Sequence, residues 1–356
     1  MKKLLIGTTA LVAVGMAADG AFAAEKIKLG LGGYFRAFFA VGSEDVANQR
    51  GHGIGRESEV YFTGETTLDN GLRAGAMIQL EGETSTDQID NSYIWFKGGF
   101  GDLRIGSFWG PGVAMHYAQA GDKLTGHGNF ASHVHVSTPS GNSASAGFST
   151  YTSLPGNADK VVYYTPRMGG VQLGIGYTPD NTEENADALN PDNDNANAEI
   201  WDLGINFKQK FGETSVGASA VYAKVTDDED ATASNEPRSW SLGAFAGFAG
   251  FKVGASYKDY DADATGSNVG DSKTWEVGAS YGQGPWSAGI TYANEEVKAS
   301  SGDDEMTYWA ITGKYALGPG VEVNGGIQRY DWEDDANVST AEGDATVFII
   351  GTKLSF

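Results

Sequence analysis

Alternation constrains this chain more than any other feature. From Lys26 onward apolar side chains recur with period two rather than 3.6. Trp201, Leu203, Ile205 and Phe207 alternate with Asp202, Gly204, Asn206 and Lys208. Trp275, Val277, Ala279 and Tyr281 repeat the pattern, as do Trp286, Ala288, Ile290 and Tyr292. Successive side chains of a strand point to opposite faces, so each segment has one apolar face and one small or polar face.

The connections between these segments fall into two classes that take turns. Short ones contain Gly: Asp69-Asn70-Gly71, Phe100-Gly101-Asp102, Met168-Gly169-Gly170, Phe211-Gly212-Glu213, Ala249-Gly250, 282–285 and Gly318-Pro319-Gly320. Gly supplies the positive φ that tight hairpins need. Long ones are polar and acidic: 43–55, 84–91, 109–159, 180–198, 226–237, 262–272, 299–304 and 334–343. Together they divide the chain into about 16 strands.

Alternating strands bury their apolar faces inward in a soluble barrel or sandwich, or turn them outward to lipid in a membrane barrel. Aromatic residues cap the apolar face at both ends, as in Trp201/Phe207/Phe211, Trp240/Phe248, Trp275/Tyr281 and Trp309/Tyr315. Ten residues at about 3.3 Å each and about 40° tilt project to roughly 25 Å, the height of an outer-membrane apolar band. The opposite face carries Lys, Arg and Glu, which suits a wet lumen and not a soluble core. The sequence therefore predicts an all-β transmembrane antiparallel barrel.

Composition closes off other classes. Acids outnumber bases 46 to 24, for a net charge of −22, which excludes electrostatic nucleic-acid binding. The absence of Cys excludes disulfide scaffolds, thiolate metal sites and cysteine nucleophiles. A mean hydropathy of −0.30 does not suit a helical membrane bundle. Lys2 and Lys3, the apolar run Leu4 to Ala18, and Ala21-Phe22-Ala23 read as a signal peptide over 1–23. The mature barrel is then 24–356, with a net charge of −23.

The C-terminus alternates Thr346, Phe348, Ile350, Thr352, Leu354, Phe356. With Gly351-Thr352-Lys353-Leu354-Ser355-Phe356, the 100–106 hairpin (Phe100 to Gly106) and Tyr163-Tyr164-Thr165-Pro166 leading into Val171 to Tyr177, the chain resembles the Gram-negative general porins, especially the alphaproteobacterial 16-stranded trimeric type. The resemblance covers essentially the whole mature chain. It implies a homotrimer of water-filled pores in outer-membrane lipid and lipopolysaccharide, each narrowed by the third long loop folded inside. It also implies that Phe356 belongs to the signal read by the barrel-assembly machinery.

The constriction loop then corresponds to 109–159, whose Met115, His116, Tyr117, Phe130 and Phe148 suit a folded insert. Parity assigns Lys28, Tyr34 and Arg36 to the lumen, with Glu57, Glu59, Arg73, Glu81, Lys97 and Arg104. The family usually sets wall bases opposite acids on the loop. Here the loop interior offers only Asp122, beside Lys123, and Asp159 at its end. Four of the five His occupy it instead: His116, His127, His133 and His135. Unperturbed His titrates near pH ~6.5, so acidification is expected to add positive charge at the narrowing.

No cofactor is expected. His133 and His135 lack a third ligand nearby, and the Asp/Asn-rich 187–199 lacks the Gly and Glu of an EF-hand, so loop-bound Ca²⁺ is unsupported. No catalytic constellation stands out, and no His lies on an expected strand. Gly204, Gly217, Gly243, Gly254, Gly278 and Gly289 on the inward face suggest open space. The sequence thus points to a channel for small hydrophilic solutes and ions that prefers cations, with a sugar- or anion-selective channel as the alternative.

Overall fold

In the computed structural model, described over residues 26–46, 49–83, 88–122, 136–181, 199–226, 236–262, 269–336 and 340–356, the strands follow one another in chain order around a closed antiparallel barrel. The first five are β1 (Lys28–Glu44), β2 (His52–Thr67), β3 (Arg73–Glu81), β4 (Ile89–Gly98) and β5 (Gly101–Ser107). After the long insert come β6 (Asp159–Tyr164), β7 (Val171–Thr178), β8 (Glu199–Phe211), β9 (Thr214–Thr226) and β10 (Arg238–Phe248). Six more complete the wall: β11 (Phe251–Asp261), β12 (Ser272–Gln283), β13 (Trp286–Ala299), β14 (Gly302–Gly318), β15 (Val321–Asp334) and β16 (Gly343–Ser355). The strand count of 16 agrees with the sequence, but the long loop expected over 299–304 is a two-residue turn, because β13 and β14 stay paired as far as Ala299↔Gly302.

Side-chain exposure shows which face looks outward. On β8, Leu203 is 41% and Ile205 45% exposed, whereas Asp202 and Asn206 between them are 2% and 5% exposed. A soluble core would reverse this order. Apolar side chains on the outside are stable only against lipid, and lipid admits a sheet only when closure pairs every backbone group.

Aromatic rows mark both rims of the apolar band. On the long-loop side the Tyr177–Trp201, Trp240–Tyr257 and Trp275–Tyr292 ring pairs lie 4.9, 5.3 and 5.3 Å apart. On the short-turn side Phe251–Tyr281 and Trp286–Tyr315 lie 4.4 and 4.3 Å apart. These amphipathic rings suit the level of the headgroups.

Local turn chemistry fixes the short side. In the β2–β3 turn the Asn70 side-chain oxygen accepts from the Leu72 N–H at 3.0 Å, and Gly71 has φ +79°. The β10–β11 turn has positive φ at both Ala249 (49°) and Gly250 (85°), the conformation a two-residue hairpin demands.

The seam joins the two ends of the chain. β1 and β16 pair from Tyr34↔Ser355 to Glu44↔Ala345. Phe356 extends that pairing: its carbonyl accepts from the Gly33 N–H at 3.0 Å, and its own N–H donates to the Gly33 carbonyl at 3.1 Å. Its ring lies over Gly33, where a Cβ would stand 3.1 Å from it. Phe356→Ala keeps both backbone bonds and loses only the ring. We expect several-fold lower outer-membrane yield in cells with near-normal refolding in detergent; equal loss in both would make the ring a seam contact and not a recognition signal.

Candidate functional site: the lumen and its inserted loop

The segment between β5 and β6 folds inside the barrel. It enters through one helical turn, α1 (Pro111–Ala114), and then runs along the inner wall. Its backbone is fixed by side chains from successive strands. The Gly112 N–H donates to Asp202 at 2.7 Å, and Asn206 donates to the Met115 carbonyl at 3.1 Å. The Tyr117 N–H donates to the Ser219 hydroxyl at 2.9 Å. Further round, the Gln119 N–H donates to Glu276 at 3.3 Å, and the Thr312 hydroxyl donates to the Gly121 carbonyl at 3.3 Å.

The inward glycines explain how a backbone fits so close. A Cβ on Gly243 would sit 1.9 Å from the Tyr117 carbonyl oxygen, and one on Gly289 would sit 2.0 Å from that of Gly121. Gly204 meets Met115, Gly254 meets Ala118 and Ala120, and Gly278 meets Gln119 and Gly121. The expectation of open space at these positions is therefore overturned. They form a track filled by the loop; Gly217 is the exception, covered by the Phe245 ring.

The returning half of the loop docks on β13–β16. The Ser145 N–H donates to Glu295 and the Ser143 N–H to Asp304, each at 2.7 Å. The Trp332 indole donates to the Ala144 carbonyl at 3.1 Å. Phe148 stands edge-on to Tyr308 at 5.3 Å, within a buried cluster that includes Phe38, Met306, Tyr330 and Val347. A second cluster of Phe108, Met115, Val162, Tyr164 and Val221 seats the entry. The insert thus has apolar packing at both ends and polar anchors between them.

The wall of β1–β5 is polar and partly exposed. Arg36 pairs with Glu57 at 2.8 Å, and Arg73 with Glu65 at 2.6 Å. Lys97 and Arg104 approach the same Asp102 oxygen at 3.4 and 2.8 Å. Arg104 also lies over Tyr164, 5.1 Å from the ring centroid. Tyr34 donates to Glu59 at 2.9 Å and bonds Glu57, while Gln79 donates to Glu59 at 2.8 Å. Glu59, Glu81 and Asp90 bring one carboxylate oxygen each within 4.8 Å of one another. Lys28 stands exposed at the start of β1.

Of the wall bases named from the sequence, Arg36, Arg73, Lys97 and Arg104 are matched by acids of the same wall. Two assignments change. Asp122 does not face an open pore: it is 7% exposed, turned in beside Gln119, whose side-chain oxygen accepts its N–H at 3.2 Å. His116 is half-buried; its Nε2 lies 3.1 Å from the Thr150 hydroxyl, and its Nδ1 has no hydrogen-bond partner among the described residues. Burial, with Lys258 nearby, lowers its pKa to about 4, so it adds no charge between pH 7.5 and 5.5. Lys123, His127, His133 and His135 lie outside the described residues, as do residues 1–25 and the acidic run 182–198.

Three further bases belong to the later wall: Lys208 and Lys252 face inward by strand parity, and Arg167, in the β6–β7 turn, donates to the inward Asn206. Arg167, Lys208 and Lys252 are exposed, and no salt bridge to them occurs among the described residues. The alternation of Phe207 with Lys208 and of Phe251 and Val253 with Lys252 would have revealed two of them.

A closed barrel with an outward apolar band, aromatic rims and a polar lumen defines an outer-membrane channel, not an enzyme. The family model for Gram-negative porins matches residues 7–335, and the chain belongs to that family. It is 26% identical to a "Monosaccharide porin" of Halomonas sp, covering 98% of this chain and all of the relative. The "Major outer membrane protein" of Halomonas elongata matches to the same extent. Among solved structures, the fold is similar to an anion-selective porin from Comamonas acidovorans, with TM-score 0.64, 20% identity and coverage of 93% of this chain and all of that one. It is similar also to OmpT of Vibrio cholerae in its trimer form, with TM-score 0.64, 15% identity and the same coverage.

Two outcomes follow. Gly243→Ala or Gly289→Ala forces the loop backbone off the wall, at about 1–3 kcal/mol of overpacking. Larger single-channel conductance and faster proteolysis within 136–158 are expected; wild-type values for both would mean the track is dispensable. Because the folded pKa of His116 lies below its unfolded value of 6.5, its contribution to stability is complete above pH 6.5 and is lost as pH falls toward about 4. Wild type should therefore lose thermal stability relative to His116→Gln on acidification from 7 to 4, while their ion selectivity stays equal between 7.5 and 5.5.

Proposed function

We propose that this chain is a general diffusion porin for small hydrophilic solutes and ions, sieving at the section between the docked loop and the β1–β5 wall. The observation that supports this most is the pairing of that wall's bases with its own acids, which leaves a hydrated polar surface without a net basic ladder. In this reading the pore prefers cations. The acid surplus lies mainly on the long loops, where its field extends about 8–10 Å at physiological salt.

The functional unit in this reading is a homotrimer, joined through the outward faces of the first strands. Leu31, Phe35, Val60, Phe62, Ala74, Ala76 and Ile78 supply apolar and small residues there, and a Vibrio neighbour is described in trimer form. Residues 1–23 serve as a removable signal, Phe356 addresses the chain to the barrel-assembly machinery, and lipopolysaccharide surrounds the rim. Sugar selection is the second reading, favoured by the Halomonas relative's name and by Tyr34, Tyr61, Glu57 and Glu59 clustered in the lumen.

Reversal potentials in a KCl gradient test the proposal. A cation preference at 0.1 M that fades in molar salt is expected; anion preference at 0.1 M would contradict it. Liposome swelling separates the two readings: rates that fall smoothly with sugar size indicate sieving, and a sugar that outruns its size indicates selection.

A further inference from the structure

The inward bases are not equivalent. Arg36, Arg73, Lys97 and Arg104 on β1–β5 each have a carboxylate partner, whereas no salt bridge to Arg167, Lys208 or Lys252 occurs among the described residues. Their supports are neutral. Arg167 donates to the Gly170 carbonyl at 2.7 Å, to Asn206 at 2.7 Å and to Gln172 at 2.8 Å. The Lys208 backbone N–H donates to that same Gly170 carbonyl at 2.9 Å, so both bases hang from one anchor.

The third base joins through the loop. The Lys252 ammonium lies 4.5 Å from the Phe245 ring centroid. Tyr117 stands edge-on to that ring at 5.1 Å, and its hydroxyl is reached by Arg167. Lys208 and Lys252 lie within Coulombic reach of each other. Three like charges on a concave wall repel one another, and rings and amides hold them without cancelling that repulsion. A bound anion would relieve it, and a guanidinium fork beside two ammonium groups suits an oxyanion.

Position gives this cluster a direction. Arg167 lies in the β6–β7 turn, Lys208 near the β8–β9 turn and Lys252 beside the β10–β11 turn, all on the short-turn side of the docked loop. The strand ends joined by the acid-rich connections of the sequence, as between β7 and β8, lie at the other end. We propose that Arg167, Lys208 and Lys252 form a low-affinity station for small oxyanions, carboxylate or phosphate, in the inner vestibule. Such a station allows a pore with an acidic mouth to pass organic anions that its outer field alone would exclude. The inference rests on the channel being open.

The test uses single-channel currents of the refolded full-length barrel, with chloride replaced at constant ionic strength by inorganic phosphate in one arm and gluconate in the other. Wild type should show a saturable fall in conductance, and Lys208→Gln/Lys252→Gln should weaken it at least tenfold. That double variant removes no side-chain hydrogen bond shown for the turn. An open KCl-conducting channel and unchanged heat-modifiable migration confirm that the variant is folded. Saturation with phosphate alone assigns the station to phosphate, and with gluconate alone to carboxylates. The proposal is overturned if wild type shows no saturation with either anion, or if the double variant saturates as wild type does. A wild-type barrel with no KCl conductance would instead overturn the channel reading on which the station rests.

Discussion

Everything in this molecule depends on closing the backbone hydrogen-bond ladder. In lipid an unpaired N–H or C=O has no water to turn to and costs several kcal/mol, so a sheet that faces lipid must have no edge. The pairing of β1 with β16, prolonged through Gly33 and Phe356, meets that requirement. Once the ring is closed the side chains need only alternate. The chain therefore tolerates large differences in loop length, provided that strand parity and the tight turns are kept.

Closure also creates an interior that a soluble core would have to fill completely. Here the filling is partial and one-sided. Small residues on the inner faces of β7–β14 admit a backbone at van der Waals distance, and Asp202, Ser219, Glu276 and Thr312 supply the donors and acceptors that this backbone needs. Asp202 and Glu276 are almost fully buried, at 2% and 1% exposure, so their hydrogen bonds to the loop offset desolvation that would otherwise oppose folding. The loop is thus part of the wall, and in the proposed reading the permeation path is what it leaves beside β1–β5.

Much of this was legible in the sequence, because period two and glycine turns are local signals. The turns around Gly71, Gly212 and Gly250 and the outward faces of β8, β12 and β13 follow from neighbouring residues alone. The filling of the lumen is not local. Gly243 and Gly289 are small because Tyr117 and Gly121, more than a hundred residues earlier, pass over them, and nothing near them in sequence reveals this. The same distance hid the fate of Asp122 and His116: an acid and a base on a polar loop read as lumen charges until the wall buries them. Arg167, Lys208 and Lys252 acquire meaning only when the carboxylates that neutralise the other bases are seen to be elsewhere.

The central claim, that the inserted loop is seated on the glycine track while the channel conducts, has a direct test because the chain contains no Cys. A Cβ on Gly254 would lie 3.4 Å from the Ala120 Cβ, close to disulfide spacing. The Ala120→Cys/Gly254→Cys pair should therefore oxidise readily in the folded barrel, and the oxidised channel should conduct as its reduced form does. A pair that stays reduced under mild oxidant in a folded barrel, or a conductance that changes sharply on cross-linking, would show that the loop does not rest on the wall of the conducting pore.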